Sequence, residues 1–132
     1  MGNTAITDAD IQVAWTVTSD KRWKEQIRDL PYGLEFVKQL KPVDYIRKNN
    51  DRKTREMGFI AQDMEALLAK VGYDDQGFLK KNDKGYISLR YNDLIALLTK
   101  AIQEQQEIIE DQNTKYEKLL KRVEQLELAS NK

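Results

Sequence analysis

Cysteine and histidine are both absent from the 132 residues. Their absence excludes a disulfide framework, a thiolate zinc site, a cysteine nucleophile and a histidine-based triad, and leaves the redox compartment undetermined. Net charge is missing too. The 22 basic residues balance 22 acidic ones, so the chain has no long-range field with which to gather nucleic acid. No apolar run approaches the roughly 20 residues that span a bilayer, and the N-terminus lacks the apolar stretch of a signal peptide. A glycine-rich phosphate cradle is lacking, and Asp74-Asp75 and Asn82-Asp83 lack the alternating oxygen ligands and the twelfth-position glutamate of a calcium loop. Neither a metal nor a cofactor is expected. What is there, 33% charged and 40% hydrophobic residues, fits a soluble protein with much surface around a small core. The opening Met1-Gly2-Asn3 reads as an added start, so the chain is expected to be a piece of a longer one.

Along the chain, Ile11, Val13, Trp15 and Val17 alternate with small or polar residues. Period two over residues 11–18 predicts a strand with one buried face. It has no obvious partner nearby and is expected to continue or pair upstream. From Asp20 the pattern changes: Trp23, Ile27 and Leu30 stand at helical spacing until Pro31, and Leu34, Val37 and Leu40 repeat that period until Lys41-Pro42 stops it. Val43 to Arg47 and Glu56 to Ile60 read as two strands around an Asn49-Asn50-Asp51 turn, Ala61 to Lys70 as an amphipathic helix closed by Gly72. A second hairpin is expected from Phe78-Leu79 and from Tyr86 to Leu89, around Asn82-Asp83-Lys84-Gly85.

From Asn92 to about Leu128 there is neither glycine nor proline. With Ile95, Ile102, Ile109, Tyr116 and Val123 at heptad position a, position d holds Leu98, Gln105, Gln112, Leu119 and Leu126. Five consecutive apolar a positions predict a coiled coil. Such a helix outreaches any domain it grows from, so its seam calls for other chains. The adjacent Gln105 and Gln112 layers cost stability and penalise wrong registers; the seam alone does not decide between two strands and three. The fold class is thus α+β: a small helix and hairpin unit, itself marginal at about 70 residues, followed by a long C-terminal helix.

Without histidine or cysteine, the economical nucleophile is a hydroxyl activated by a neutral lysine, and lysine becomes a base only when burial or neighbouring cations depress its pKa. Ser19 and Lys24 are the candidates, with Lys21 and Arg22 close by. Five residues on a continuous helix turn through about 140°, so the pair requires Ser19 to precede the helix, with Lys24 folding back or arriving from a neighbouring subunit. The bland alternative is that Ser19 merely caps a turn. Arg47, Lys48, Arg52, Lys53 and Arg55 form a basic cluster that reads as a solvated hairpin tip. Trp15, Trp23 and Tyr45 are expected in the core.

Four motifs in order carry a resemblance. Ser19-Asp20-Lys21-Arg22-Trp23-Lys24 followed by Ile27, then Leu40-Lys41-Pro42-Val43-Asp44-Tyr45, then Gly58-Phe59-Ile60-Ala61-Gln62-Asp63, and finally Tyr91-Asn92-Asp93-Leu94 with Ala101-Ile102-Gln103-Glu104 resemble the intramolecular chaperone auto-processing domain. That domain closes phage tailspikes, endosialidases, tail fibres and neck appendages. The resemblance runs from Ser19 to about Gln106. It implies a homotrimer at the C-terminus of a fibre protein, which helps the preceding stalk of the same polypeptide to trimerise and fold and then cuts itself off. It further implies Ser19 as nucleophile, Lys24 as general base and Thr18-Ser19 as the scissile bond. Residues 1–18 would then end the stalk, 19–91 form the auto-processing unit and 92–132 the coiled-coil helix. Assembly would take place in the cytoplasm of the infected host, with the parent protein in the virion and the chaperone released. No membrane and no nucleic acid is expected among the partners. Two rivals stand beside this expectation: an oligomerisation module that does not cut, and a coiled-coil adaptor touching nucleic acid through Arg52 and Lys53.

Overall fold

The computed structural model describes residue 6, residues 8–49 and residues 51–131. Met1-Gly2-Asn3 and Asn50 of the first turn lie outside the described residues. A single 3₁₀ turn, Lys21–Trp23, comes first. Then follow helix α1 (Leu34–Val37), strands β1 (Pro42–Ile46) and β2 (Arg55–Phe59), helix α2 (Ala61–Val71), strands β3 (Leu79–Lys81) and β4 (Ile87–Leu89), and helix α3 (Asp93–Ser130). The α+β class expected from the sequence is borne out.

The hairpins form where turn chemistry and apolar spacing agree. β1 and β2 pair antiparallel from Pro42 opposite Phe59 to Ile46 opposite Arg55, and Arg47–Glu56 and Arg55–Asp44 ion pairs cross between them. β3 and β4 pair from Leu79 opposite Leu89 to Lys81 opposite Ile87. Their turn is closed by Asn82, whose Oδ1 accepts from the N–H groups of Lys84 and Tyr86. Gly85 there takes φ 82°, a conformation that costs other residues steric strain. In α2, Met64, Leu67 and Leu68 are buried at i, i+3, i+4 spacing. Gly72, at φ 71°, ends α2, while the Tyr73 N–H donates to the Leu68 carbonyl at 3.0 Å, the hydrogen-bonding of a glycine C-cap.

The core joins Phe36 of α1, the three apolar residues of α2, Phe78, and Leu94 and Leu97 of α3. The long helix therefore plays two parts. Its first turns bury Leu94, Leu97 and Ala101, and every described residue after Glu104 is exposed. At 1.5 Å per residue its 38 residues span about 57 Å. Ile95, Leu98 and Ile102 each follow a core-facing residue by one position and are exposed, so the two faces lie about 100° apart round the axis. Ile109, Tyr116, Leu119, Val123 and Leu126 continue the exposed stripe.

Four expectations are corrected. Residues 11–18 form no strand: an extended segment becomes one only beside a partner edge, and no described residue offers it. The helix foreseen from Asp20 stops after its one 3₁₀ turn, because Lys24 is already extended at φ −124° and ψ 140° and Gln26 turns the chain at φ 50°. The helix over 32–40 shrinks to Leu34–Val37, starting after Gly33 and unwinding at Lys38. Trp15 and Trp23 are not core residues, being 62% and 80% exposed, since no helix rotates Trp23 inward. Tyr45 is half-buried.

Candidate active site

Short-range geometry brings Ser19 and Lys24 together. Asp20 is the N-cap of the 3₁₀ turn. Its Oδ1 accepts from the Arg22 backbone N–H at 2.9 Å, and its Oδ2 accepts from the Arg22 guanidinium at 2.7 Å. The Arg22 side chain, then its backbone N–H, hold the Asp20 carboxyl below the usual carboxylate range. Asp20 is thus engaged in starting the turn. Because that turn ends at Trp23, the 140° separation of a continuous helix does not arise. Lys24 folds back within the same chain, and its Nζ donates to Ser19 Oγ at 2.7 Å. That heavy-atom distance also suits the reverse bond, O–H to a neutral amine, which a general base requires.

Both members of the pair are exposed in the single chain. Ser19 lines a cleft of about 1050 Å³ between the loop that precedes β3 and the start of α3. Trp15 and Val17 line the same cleft, as do Tyr73, Phe78 and Ile95, the first position of the heptad seam. Tyr32 stacks at a tilt on Tyr73 with ring centroids 4.9 Å apart and donates its hydroxyl to the Val71 carbonyl at 3.3 Å, which fixes the aromatic wall. Arg90 lines the cleft as well and is clamped by both carboxylate oxygens of Asp93, at 2.7 and 2.9 Å.

Two supports escaped sequence reasoning. Glu104 Oε2 accepts from the Leu34 N–H at 3.2 Å, which latches the N-terminus of α1 to the long helix. Gly33 leaves room for it, since a Cβ there would collide with the Glu104 carboxylate. Tyr91 accepts from the Phe59 N–H through its hydroxyl at 3.1 Å, tying the first hairpin to the entry of α3. Both residues stood in the motifs, but nothing in their spacing indicates a partner so far away in sequence. The basic hairpin is engaged in its own contacts: Arg47 with Glu56, Arg55 with Asp44, Arg52 with Asp8, and Lys53 with the Lys48 carbonyl. No group of side chains suited to hold a metal ion occurs among the described residues, and none of their helices is long and apolar enough to cross a membrane.

The structure thus sets a small α+β unit on a long helix, with a hydroxyl and an amine paired near its N-terminal edge. Residues 19–73 match the family model Peptidase_S74, chaperone of endosialidase. The resemblance carried by the motifs is borne out over that stretch, which begins at Ser19 and includes Lys24; the later motifs, from Tyr91 onward, lie beyond it. No curated protein matches the chain.

Proposed function

We propose that this chain is the C-terminal intramolecular chaperone of a phage fibre or appendage protein, which trimerises through α3, assists folding of the stalk and then releases itself by cleaving Thr18-Ser19. The observation that carries the reading is the 2.7 Å contact between Lys24 Nζ and Ser19 Oγ at the edge of the matched family segment. The exposed stripe from Ile95 to Leu126 supports association, because an apolar seam of that length is costly to leave in water.

In the chemistry that follows, Lys24 as neutral amine takes the Ser19 proton. Ser19 Oγ attacks the carbonyl carbon of Thr18 through a five-membered ring. The Thr18–Ser19 C–N bond breaks as the lysine returns its proton to the departing amine, leaving Thr18 esterified to the Ser19 hydroxyl. Water hydrolyses that ester to the Thr18 carboxylate and the free serine. Intramolecular attack supplies high effective concentration without a separate substrate. Since the pair is exposed in one chain, neighbouring copies would supply the shelter from water that a neutral lysine needs. Ile95, at once a cleft wall and a seam residue, is where they would enter.

The function has an energetic rationale. An intertwined stalk folds slowly through non-local contacts; a coiled coil holds its chains at high local concentration, and removal of the clamp traps the product kinetically. Partners are two further copies and the upstream stalk, and the setting is virion assembly within the infected cell. Intact mass spectrometry tests the reading. The wild-type chain is expected to lose residues 1–18, and Ser19→Ala and Lys24→Ala to keep them. A folded, oligomeric wild type that stays whole would leave only the oligomerisation module standing.

A further inference from the structure

The alternation of residues 11–18 builds no ladder, yet it has a spatial outcome. In an extended chain, side chains at i, i+2 and i+4 share one side. Trp15, Val17 and Ser19 all line the cleft, whereas Thr16 and Thr18 between them do not. The facing wall includes Tyr73, Phe78 and Leu94; Phe78 and Leu94 belong to the core and Tyr73 packs against it, so this wall is held in place. The same segment is tied further upstream, where Arg52 meets Asp8 at 2.8 Å. Trp15 is also the less exposed of the two tryptophans, 62% against 80% for Trp23.

We infer that Trp15 and Val17, four and two residues before Ser19, are positioning residues: they seat the end of the stalk in this cleft and thereby set the Thr18 carbonyl against Ser19 Oγ. The inference rests on the self-cleavage reading and specifies its substrate. The cleft takes an extended segment with an aromatic side chain, a gap, a branched aliphatic side chain, a gap and then serine. A five-membered cyclic attack needs one orientation of the Thr18 peptide out of the many that a loose segment samples. Two apolar anchors on the serine's side restrict that sampling, and misplacement by about 1 Å is enough to cost on the order of a hundredfold in rate.

The test follows cleavage of the full chain by intact mass over time. Trp15→Ala and Val17→Ala are expected to slow release by about tenfold or more, Trp15→Phe and Val17→Ile to restore most of the rate, and Thr16→Ala to leave it unchanged. A Trp15→Ala chain cut at the wild-type rate would overturn the inference and leave self-cleavage intact. Loss of the oligomer by light scattering in Trp15→Ala would overturn it too, because the residue would then serve assembly. A second readout needs no cleavage. In Ser19→Ala with Trp23→Phe, Trp15 is the single tryptophan, and iodide is expected to quench it less than it quenches Trp23 in Ser19→Ala with Trp15→Phe. Equal quenching overturns the seating even where the wild type is never cut. Protected Trp15 in an uncut wild type would support the seating and place the failure with the cleavage reading.

Discussion

Among single residues, the sharpest constraint on the candidate dyad is backbone shape. Gln26 holds φ 50° two residues after Lys24, in the left-handed region that β-branched side chains resist. Gln26→Val is expected to slow cleavage and lower stability by about 1–2 kcal/mol, whereas Gln26→Gly should be tolerated; thermal melts and a cleavage time course check both. Gly58 is a second such point, because a Cβ there would press on the hydroxyl of Tyr91 and the ring of Tyr45. Gly58→Ala should therefore cost about 1–3 kcal/mol by overpacking, visible as a lower urea midpoint. The residues of the pair were legible in the sequence, a hydroxyl and a lysine as the economical option in a chain without histidine or cysteine. Their meeting was legible only as a condition, Lys24 folding back or arriving from a neighbouring subunit. Five-residue spacing argues against contact on a helix, and only the early end of the 3₁₀ turn at Trp23 removes that objection.

For elements, legibility tracked how far the pattern extended and whether its partner lay in the same chain. The two hairpins and α2 have turn residues and apolar spacing that agree locally, and they formed as expected. The stretch from residue 11 to Leu30 carried apolar periodicity without a strand edge to pair with or a helix to continue; Trp15, Val17 and Leu30 line the cleft instead, and there the expected strand and helix are missing. Helix α3 was legible as a helix, but its second allegiance, the core face of Leu94, Leu97 and Ala101, hid beside the heptads because it is displaced by a single residue. The two faces predict separable effects. Ile102→Asp with Ile109→Asp should abolish the proposed oligomer, as sedimentation would show, while leaving the globular unit folded. Leu97→Ala should instead lower stability by about 2–5 kcal/mol and leave the seam intact. An oligomer that survives the paired aspartates would mean that the heptad register is wrong.

For the whole molecule, balanced charge and the absence of histidine leave no side chain whose ordinary pKa lies between pH 5 and 8. The groups that respond are the acids. The Arg55 guanidinium holds the Asp44 carboxyl below its usual range, as Arg22 does for Asp20. A carboxyl depressed in the folded state contributes stability that is complete above its unfolded pKa and is lost as pH falls through the folded value. Melting temperature is therefore expected to be flat from pH 8 to about 5 and to fall below about pH 4, with Asp44→Asn softening the acid decline.

The one-residue offset between the core face and the seam of α3 reaches furthest. In a parallel bundle joined through that seam, an offset of 180° would throw each globular unit straight outward, away from its neighbours. In the proposed bundle the turn of about 100° would swing each unit sideways, over the flank of the adjacent helix and always in the same rotational sense. Three units would form a pinwheel of one handedness at the foot of the stalk, so that whatever the cleft of one copy faces would be set by the copy beside it.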